Sequence, residues 1–465
     1  MTNTAVTVID APCGAGKSTF AINYLNEAHS KNINDQFDGL PGDRRFIVVA
    51  PLLVEADRFT TACPDLRFKN PQPLQGRKLW GLRQLIERGE NVATTHALFS
   101  MLSTDIYELL KQQNYELIVD EALTCVELFK DLRGPDKRLL FEHQYVIVGE
   151  RDRLLWNEGR YPDYSDPKLR FADVRSLCLN GNLSAYSRNG ADPTVLMWTF
   201  PADFIRCFQR VHLLTYLFHG SPMSNYIKSE GVPFDMKTIV NHELVDWAGG
   251  NEAQFKARIR PLISIYEGTA NNVGKPQLGG PGRPADPLSK SWFKRARPEV
   301  LKAIKSSTEN FFKKIAQASS KDTSWTTYKD FENRLRGARY GTRPLKDKDE
   351  RLARDTEGNI VEPGSFISLG TKAVNHFRGK TAIAYLASNH MDPDVVGFFK
   401  RRGVIVNENA YALSEIVQLV WRTAIRDFKP ISIYVPSQRM RGLLQAWLAS
   451  DDASELIDQL AEPGL

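Results

Sequence analysis

The run Ala11-Pro12-Cys13-Gly14-Ala15-Gly16-Lys17-Ser18 directly follows the apolar stretch Val6–Ile9 and directly precedes the helix-forming stretch Thr19–Leu25. No other segment constrains the chain as tightly. A strand that ends in a glycine-rich turn and enters a helix aims successive backbone N–H groups and a positive helix terminus at one point. That point suits a polyphosphate. Gly14 and Gly16 let the backbone come close, Lys17 reaches the β- and γ-phosphates, and Ser18 is placed to ligate Mg²⁺. Pro12, Cys13, Gly14, Ala15, Gly16, Lys17, Ser18 and Thr19 are therefore expected to bind ATP.

The second half of such a site is an apolar strand ending in acid. Tyr115-Glu116-Leu117-Ile118-Val119-Asp120-Glu121-Ala122 has that form. Asp120 is expected in the Mg²⁺ shell, and Glu121 is expected to orient and deprotonate an attacking water. Hydrolysis needs the second carboxylate, whereas a simple kinase does not. The plainer reading of the same letters is a strand followed by a helix N-terminus, where Asp and Glu are common.

At 465 residues the chain has room for two or three domains with full cores. No apolar run approaches the length of a membrane span, and the N-terminus lacks a basic-then-apolar leader. Cys13, Cys63, Cys125, Cys178 and Cys207 show no metal-ligand or disulfide spacing. These features predict a cytoplasmic protein that needs no membrane. The net charge of +6 is unevenly spread: residues 290–348 hold sixteen Lys/Arg against six Asp/Glu, a local balance of +10. Trp292, Phe293, Phe311, Phe312, Trp325, Tyr328, Phe331 and Tyr340 interleave with those cations. Cations for phosphates and rings for bases form the footprint of a single-strand nucleic-acid surface, with Lys294 and Arg295 as candidate contacts. A solvated helical face over its own small aromatic core is the alternative.

The first part of the chain alternates strand and helix signals, which predicts a parallel α/β sheet. Strands are expected at Val6–Ile9, Arg45–Ala50, Asn91–Thr94, Leu117–Asp120 and Val211–Tyr216, with helices at Thr19–Ala28, Leu53–Thr60, Leu79–Arg88 and Leu98–Lys111. The alternation lapses over 130–205, which is expected to be an inserted subdomain. The expected division is 1–129, the insertion 130–205, a completing segment 206–244, and a second unit 245–465 carrying a basic-aromatic insertion at 290–348. Further strands are expected at Pro261–Glu267, Ser365–Leu369, Thr381–Leu386 and Ile431–Val435, with helices at Leu413–Arg426 and Met440–Leu448. Gln418, Arg422 and Arg426, spaced i, i+4, i+8, would share one face of the first of these helices. Such a face could supply an arginine finger to the γ-phosphoryl group, or simply be an exposed basic face.

The order A-x-x-G-x-G-K-S, D-E-A-L and Q-x-x-W-R-x-x-x-R resembles the superfamily 2 helicases and translocases, especially the DEAD/DEAH-like helicase-type ATPases of bacteriophages. Val48-Val49-Ala50-Pro51-Leu52 resembles motif Ia and Ala93-Thr94-Thr95-His96 motif Ib; Leu213-Leu214-Thr215-Tyr216 resembles motif III and Gly370-Thr371-Lys372-Ala373-Val374-Asn375 motif V. The pattern departs from the family at three points. No upstream glutamine motif precedes residue 11, Leu214-Thr215-Tyr216 replaces Ser-Ala-Thr, and the two arginines stand four apart instead of three.

The resemblance implies two RecA-like parallel-sheet lobes, with the inserted subdomain in the first and the basic helical segment in the second. It implies ATP and Mg²⁺ as cofactors, with Lys17, Asp120, Glu121, Gln418, Arg422 and Arg426 as the catalytic set. It further implies nucleic-acid contacts from Pro51, Thr94, Thr95, Thr371 and Asn375. By spacing alone, Thr94 and Thr95 could equally cap a helix. The implied activity is an ATP-dependent helicase or translocase, monomeric, acting on single-stranded or tailed nucleic acid, DNA before RNA. Phage-type replication or recombination in a host cytoplasm, alongside replication proteins, is the implied setting. An ATP-gated clamp or regulatory ATPase uses the same motifs. A terminase-like packaging ATPase shares Lys17, Asp120 and Glu121 but also needs a clustered-acid nuclease.

Overall fold

Short apolar runs, too brief for helices and closed by turn residues, build the sheet of the N-terminal half. In the computed structural model these are β1 (Ala5–Asp10), β2 (Arg45–Ala50), β3 (Val92–Thr95) and β4 (Tyr115–Asp120). The structure describes residues 5–37, 44–160, 170–188, 195–247, 252–275, 286–346, 364–370 and 376–461. After β4 come five short strands: β5 (Val126–Leu128), β6 (Val146–Val148), β7 (Leu154–Trp156), β8 (Leu183–Tyr186) and β9 (Val195–Thr199). The large sheet then resumes with β10 (Arg210–Thr215), β11 (Phe234–Val240) and β12 (Glu243–Asp246).

The seven-stranded sheet has the order β12-β11-β1-β10-β4-β2-β3. Its pairs are parallel except for the hairpin β11–β12. Helices Lys17–Phe37, Leu53–Ala62, Lys78–Glu87 and Thr104–Gln112 make crossovers. Phe46, Ile47, Val48, Val49 and Ala50 of β2 are all buried, as a strand covered on both faces requires. The expected helix Leu98–Lys111 is two helices, His96–Phe99 and Thr104–Gln112. The strands β5, β9 and β8 form an antiparallel sheet, β6 and β7 a hairpin, and Leu140, Leu154, Trp156, Phe171 and Leu183 contribute to their separate core.

The chain divides into two compact units, one of Met1–Ala11, Ala15–Trp247 and Asp392–Val406, the other of Pro12–Gly14, Ala248–Met391 and Asn407–Leu465. The expected second unit 245–465 is thus interrupted. The helix Pro393–Arg401 groups with the first unit because its ends are tied there. Asp394 accepts from Arg188 at 2.6 and 2.8 Å and from the Tyr186 hydroxyl at 3.2 Å, and Arg402 pairs with Glu230.

In the second unit, β13 (Ile263–Ile265), β14 (Thr323–Thr326), β15 (Ala382–Tyr385) and β16 (Ile431–Tyr434) form a parallel sheet of order β13-β16-β15-β14. Ser365–Leu369 is not a strand; Phe366 makes only an isolated bridge to Trp325. Segment 290–346 is not an excursion from this unit, since it supplies edge strand β14 and the helices Lys290–Arg295 and Pro298–Asn310. Its rings point inward. Phe293, Phe311, Phe312, Trp325, Phe331 and Tyr340 are buried, with Phe293 stacked on Phe331 at 5.1 Å and Phe311 on Tyr434 at 5.3 Å. The expectation that the rings stack on bases is therefore overturned for these six by their burial in a core, against which Trp292 and Tyr328 are partly buried. Lys294, Arg295 and Arg297 are exposed. Nearby, His390 bridges Asp286 (2.9 Å) and Glu408 (3.2 Å), and the bond to Asp286 raises its pKa.

On β10 of the first unit, His212 has both ring nitrogens buried without a hydrogen-bond partner among the described residues, and its ring packs edge-on to Tyr24 at 4.6 Å. Burial lowers its pKa to about 4. Between pH 6.5 and 4 the unfolded chain therefore takes up a proton that the folded chain refuses, so this contribution to stability falls with falling pH. At full extent the loss is about 3 kcal/mol. His212→Phe is expected to flatten the stability of the first unit across this pH range, measured by urea denaturation. An unchanged slope would assign the acid sensitivity elsewhere.

Candidate nucleotide site

β1, β10 and β4 are adjacent, with Ile9 opposite Leu214 and Leu214 opposite Asp120. The glycine-rich loop expected to bind phosphate leaves β1 at Ala11, and the acidic pair ends β4. Both exits are bonded to the strand between them. Ala11 N donates to Thr215 O at 3.1 Å, and Glu121 N donates to Leu214 O at 2.9 Å. Two consecutive carbonyls of β10 therefore fix where the loop and the acids begin.

Asp10, 5% exposed, adds a third tie. Its carboxylate accepts from Leu217 N at 2.8 Å and Phe218 N at 3.0 Å, holding the turn that leaves β10. Leu217 there has φ 56, a left-handed conformation that a leucine adopts only under constraint. No signal in the chain marks this role, since an Asp at a strand end is unremarkable without its partners.

In the loop itself, Gly14 and Gly16 have φ 86 and 92, the region that glycine enters without a Cβ clash. A Cβ built on Gly14 meets nothing within 4 Å, so the space at that residue is open. Lys17 begins the helix Lys17–Phe37, and its ammonium donates to Ala11 O at 2.5 Å, across the loop. Ser18 is half-buried beside it and Thr19 is exposed. Cys13 is half-buried and in no disulfide among the described residues. Open space at Gly14, positive-φ glycines and a lysine folded over the loop fit a polyphosphate held by Gly14–Ser18.

The acid end is unusual in two respects. Glu121 has φ 65, a left-handed backbone that costs a non-glycine residue about 1–3 kcal/mol. Its Oε2 is buried and has no hydrogen-bond partner among the described residues. A strained residue with an unsatisfied buried carboxylate oxygen is a poor arrangement for stability alone. Asp120 is better supported. Arg58 Nη2 stands 3.8 Å from its Oδ2, and His96 Nε2 donates to its carbonyl at 2.9 Å. Arg58 and His96 thus brace the end of β4, and neither residue stands out by motif.

The other expected site residues are distributed unevenly. Pro51 is half-buried next to an exposed apolar run, Leu52, Leu53 and Val54. Thr94 is 1% exposed, so its hydroxyl points into the protein and is not at a surface where it could meet a backbone phosphate. Thr95 accepts from Leu98 N at 3.4 Å and caps the helix His96–Phe99. Thr371 and Asn375 lie outside the described residues.

In the second unit the helix expected over Leu413–Arg426 is Glu408–Val420. It stops because the chain turns: Arg422 N bonds Leu419 O, Thr423 N bonds Val420 O, and Ala424 N leaves the helix for Lys380 O. Gln418, Arg422 and Arg426 therefore do not share a helical face. Gln418 is half-buried in the last turn, Arg422 is buried beyond it, and Arg426 is exposed on the short 3₁₀ turn Ala424–Asp427. The unit also has a polar cavity of about 510 Å³ at the C-terminal ends of β13 and β16, with Glu267, Asn271, Lys275 and Arg441 in its wall. Among the described residues no helix is long and apolar enough to cross a membrane.

Comparison with known proteins adds three findings. Residues 257–448 match the family described as the YonV C-terminal Rossmann-like domain. Among solved structures, S. tokodaii Xpd4 overlays with a TM-score of 0.46 at 11% identity, covering 96% of this chain and 94% of that one, a likeness too loose to bear on function. The SPbeta prophage-derived uncharacterized protein YonV of Bacillus subtilis (strain 168) is 30% identical over 453 residues, which span 95% of this chain and 98% of that protein. With that identity sustained over nearly the whole of both chains, this protein belongs to the YonV family.

Proposed function

We propose that the chain is an ATP-hydrolysing, nucleic-acid-dependent motor of the helicase type, with its two parallel sheets as RecA-like lobes. Glu121 carries the reading. A left-handed backbone and an unpaired, buried carboxylate oxygen directly after Asp120 are a cost without structural return, and a water-activating base needs such a free oxygen. In this reading Gly14–Ser18 hold the triphosphate through backbone N–H groups, and Lys17 exchanges the Ala11 carbonyl for phosphate oxygens. Ser18 and Asp120 would hold Mg²⁺, the remaining ligands being phosphate oxygens and water. The ion would neutralise phosphate charge. Glu121 would take the proton of the attacking water, and Arg58 and His96 would keep the end of β4 in place.

The substrate proposed is single-stranded or tailed nucleic acid, DNA before RNA. The outward-facing Lys294, Arg295 and Arg297 support a backbone-phosphate contact, with no stacking from the rings beneath them. Gln418, Arg422 and Arg426 are retained as candidates for stimulating hydrolysis individually, not as one helical face. A prophage relative favours phage replication or recombination as the setting.

Glu121→Gln is expected to bind ATP as the wild type does and to lose turnover by about 100-fold or more. Lys17→Ala is expected to lose binding and turnover together. Fluorescent-nucleotide titration and phosphate release, run on both variants, check this pair. Wild-type turnover in Glu121→Gln would remove the assignment.

Replacing Lys294, Arg295 and Arg297 by Ala is expected to weaken single-stranded DNA binding equally for all sequences. It should also flatten the log–log salt dependence by about 0.7 for each phosphate no longer neutralised. Unchanged affinity and slope would make these cations a solvated face.

A further inference from the structure

The hairpin β11–β12 turns through two residues, Asn241 and His242, between the paired residues Val240 and Glu243. Both turn residues are left-handed, with φ 51 and 69. A two-residue turn of this kind matches the right-handed twist of its strands, and Asn-Gly is its favoured pair. Asn241 fills the first position in the favoured way. The second position, where glycine carries no steric cost, holds an imidazole.

The position of this turn follows from the sheet. β11 lies beside β1, with Ile9 opposite Lys237. The strand then runs three residues further, to Val240, which at about 3.3 Å per residue carries the turn roughly 10 Å beyond Ile9. It comes to lie against the phosphate loop. A Cβ built on Gly16 would stand 3.5 Å from His242 Nδ1. His242 is exposed, so burial in a core does not account for it. Histidine is among the few non-glycine residues that tolerate this backbone region, which makes it one of the less costly ways to put a hydrogen-bonding ring there.

We propose that His242 is a polyphosphate-contacting residue: with a nucleoside triphosphate in the loop, its imidazole donates a hydrogen bond to a phosphate oxygen beside Gly16. The proposal rests on the reading of Gly14–Ser18 as a nucleotide site. The phosphate end of the ligand is chosen because the ring stands at the residue preceding Lys17, where the loop's N–H groups and ammonium gather phosphate oxygens. The contact would come from the opposite side of the loop to β10, which anchors Ala11 and Glu121. The backbone strain at His242 is then the counterpart of that at Glu121: a side chain retained at a position where glycine would serve the fold better.

The test exploits that opposition. His242→Gly produces the favoured Asn-Gly turn, so the melting temperature is expected to equal or exceed that of the wild type. The Kd for MgATP, measured by calorimetry on the full chain, is expected to rise about 5- to 10-fold, the effect of one hydrogen bond. The Kd for magnesium inorganic triphosphate should rise by the same factor. Stability held or raised while affinity falls for both ligands is the signature of a ligand contact. A wild-type chain that binds no MgATP would overturn the nucleotide-site reading and this proposal with it. A wild type that binds and a His242→Gly variant that binds equally well would overturn the proposal alone. Loss of affinity for MgATP without loss for inorganic triphosphate would move the ring to the nucleoside and likewise overturn it. Loss of affinity together with a fallen melting temperature would assign His242 to the fold and not to the ligand.

Discussion

Two consecutive carbonyls in the middle of the large sheet, Leu214 O and Thr215 O on β10, hold the parts of the site together. One accepts from Glu121 N and the other from Ala11 N, so the acid pair and the glycine-rich loop flank a single strand. Neighbouring strands lie about 4.8 Å apart, which separates the two exits by roughly 10 Å, a span suited to a phosphate group and a metal ion. Each bond contributes only about 1 kcal/mol net to stability. Their value is positional. Asp10 reinforces the arrangement from β1 by capturing Leu217 N and Phe218 N, so β10 is tied to the loop strand both before and after its last residue.

Around this centre Leu217, Asn241, Glu121 and His242 are all non-glycine residues with positive φ at a strand end or turn, and the last two are the ones proposed to serve a ligand. Glu121 also leaves a buried oxygen unpaired. The ladders on either side over-determine both positions, so the strain persists in place of relaxing.

Much of this was legible in the sequence wherever local pattern decides structure. Arg45–Ala50 has the bounds of its strand, and the apolar runs around Val6–Ile9, Leu117–Asp120 and Ile431–Val435 fall on β1, β4 and β16. The loop Gly14–Ser18 and the acids Asp120 and Glu121 stood out by their letters and order, and the structure sets them at the ends of β1 and β4, on either side of β10. What escaped was decided by distant contacts. The rings of 290–346 alternate with cations, but which side of each helix faces β14 is set by the sheet, and the sheet turned the rings inward. The helix Glu408–Val420 continued on paper to Arg426 because nothing in Trp421-Arg422-Thr423 breaks a helix; the bond from Ala424 N to Lys380 O does. Likewise Asp394 carries no mark of its attachment to Tyr186 and Arg188, more than two hundred residues earlier. Asn241-His242 lacks the glycine that announces such a hairpin, so the residue that strains the turn also concealed it.

If β10 assembles a hydrolytic site from the loop at Gly14–Ser18 and the acids Asp120 and Glu121, the purified full chain must turn over MgATP. Steady-state phosphate release during a titration of single-stranded DNA is the decisive experiment. Measurable release that rises with DNA and saturates is the predicted result. No release above background at any DNA concentration, by a folded chain, would contradict it.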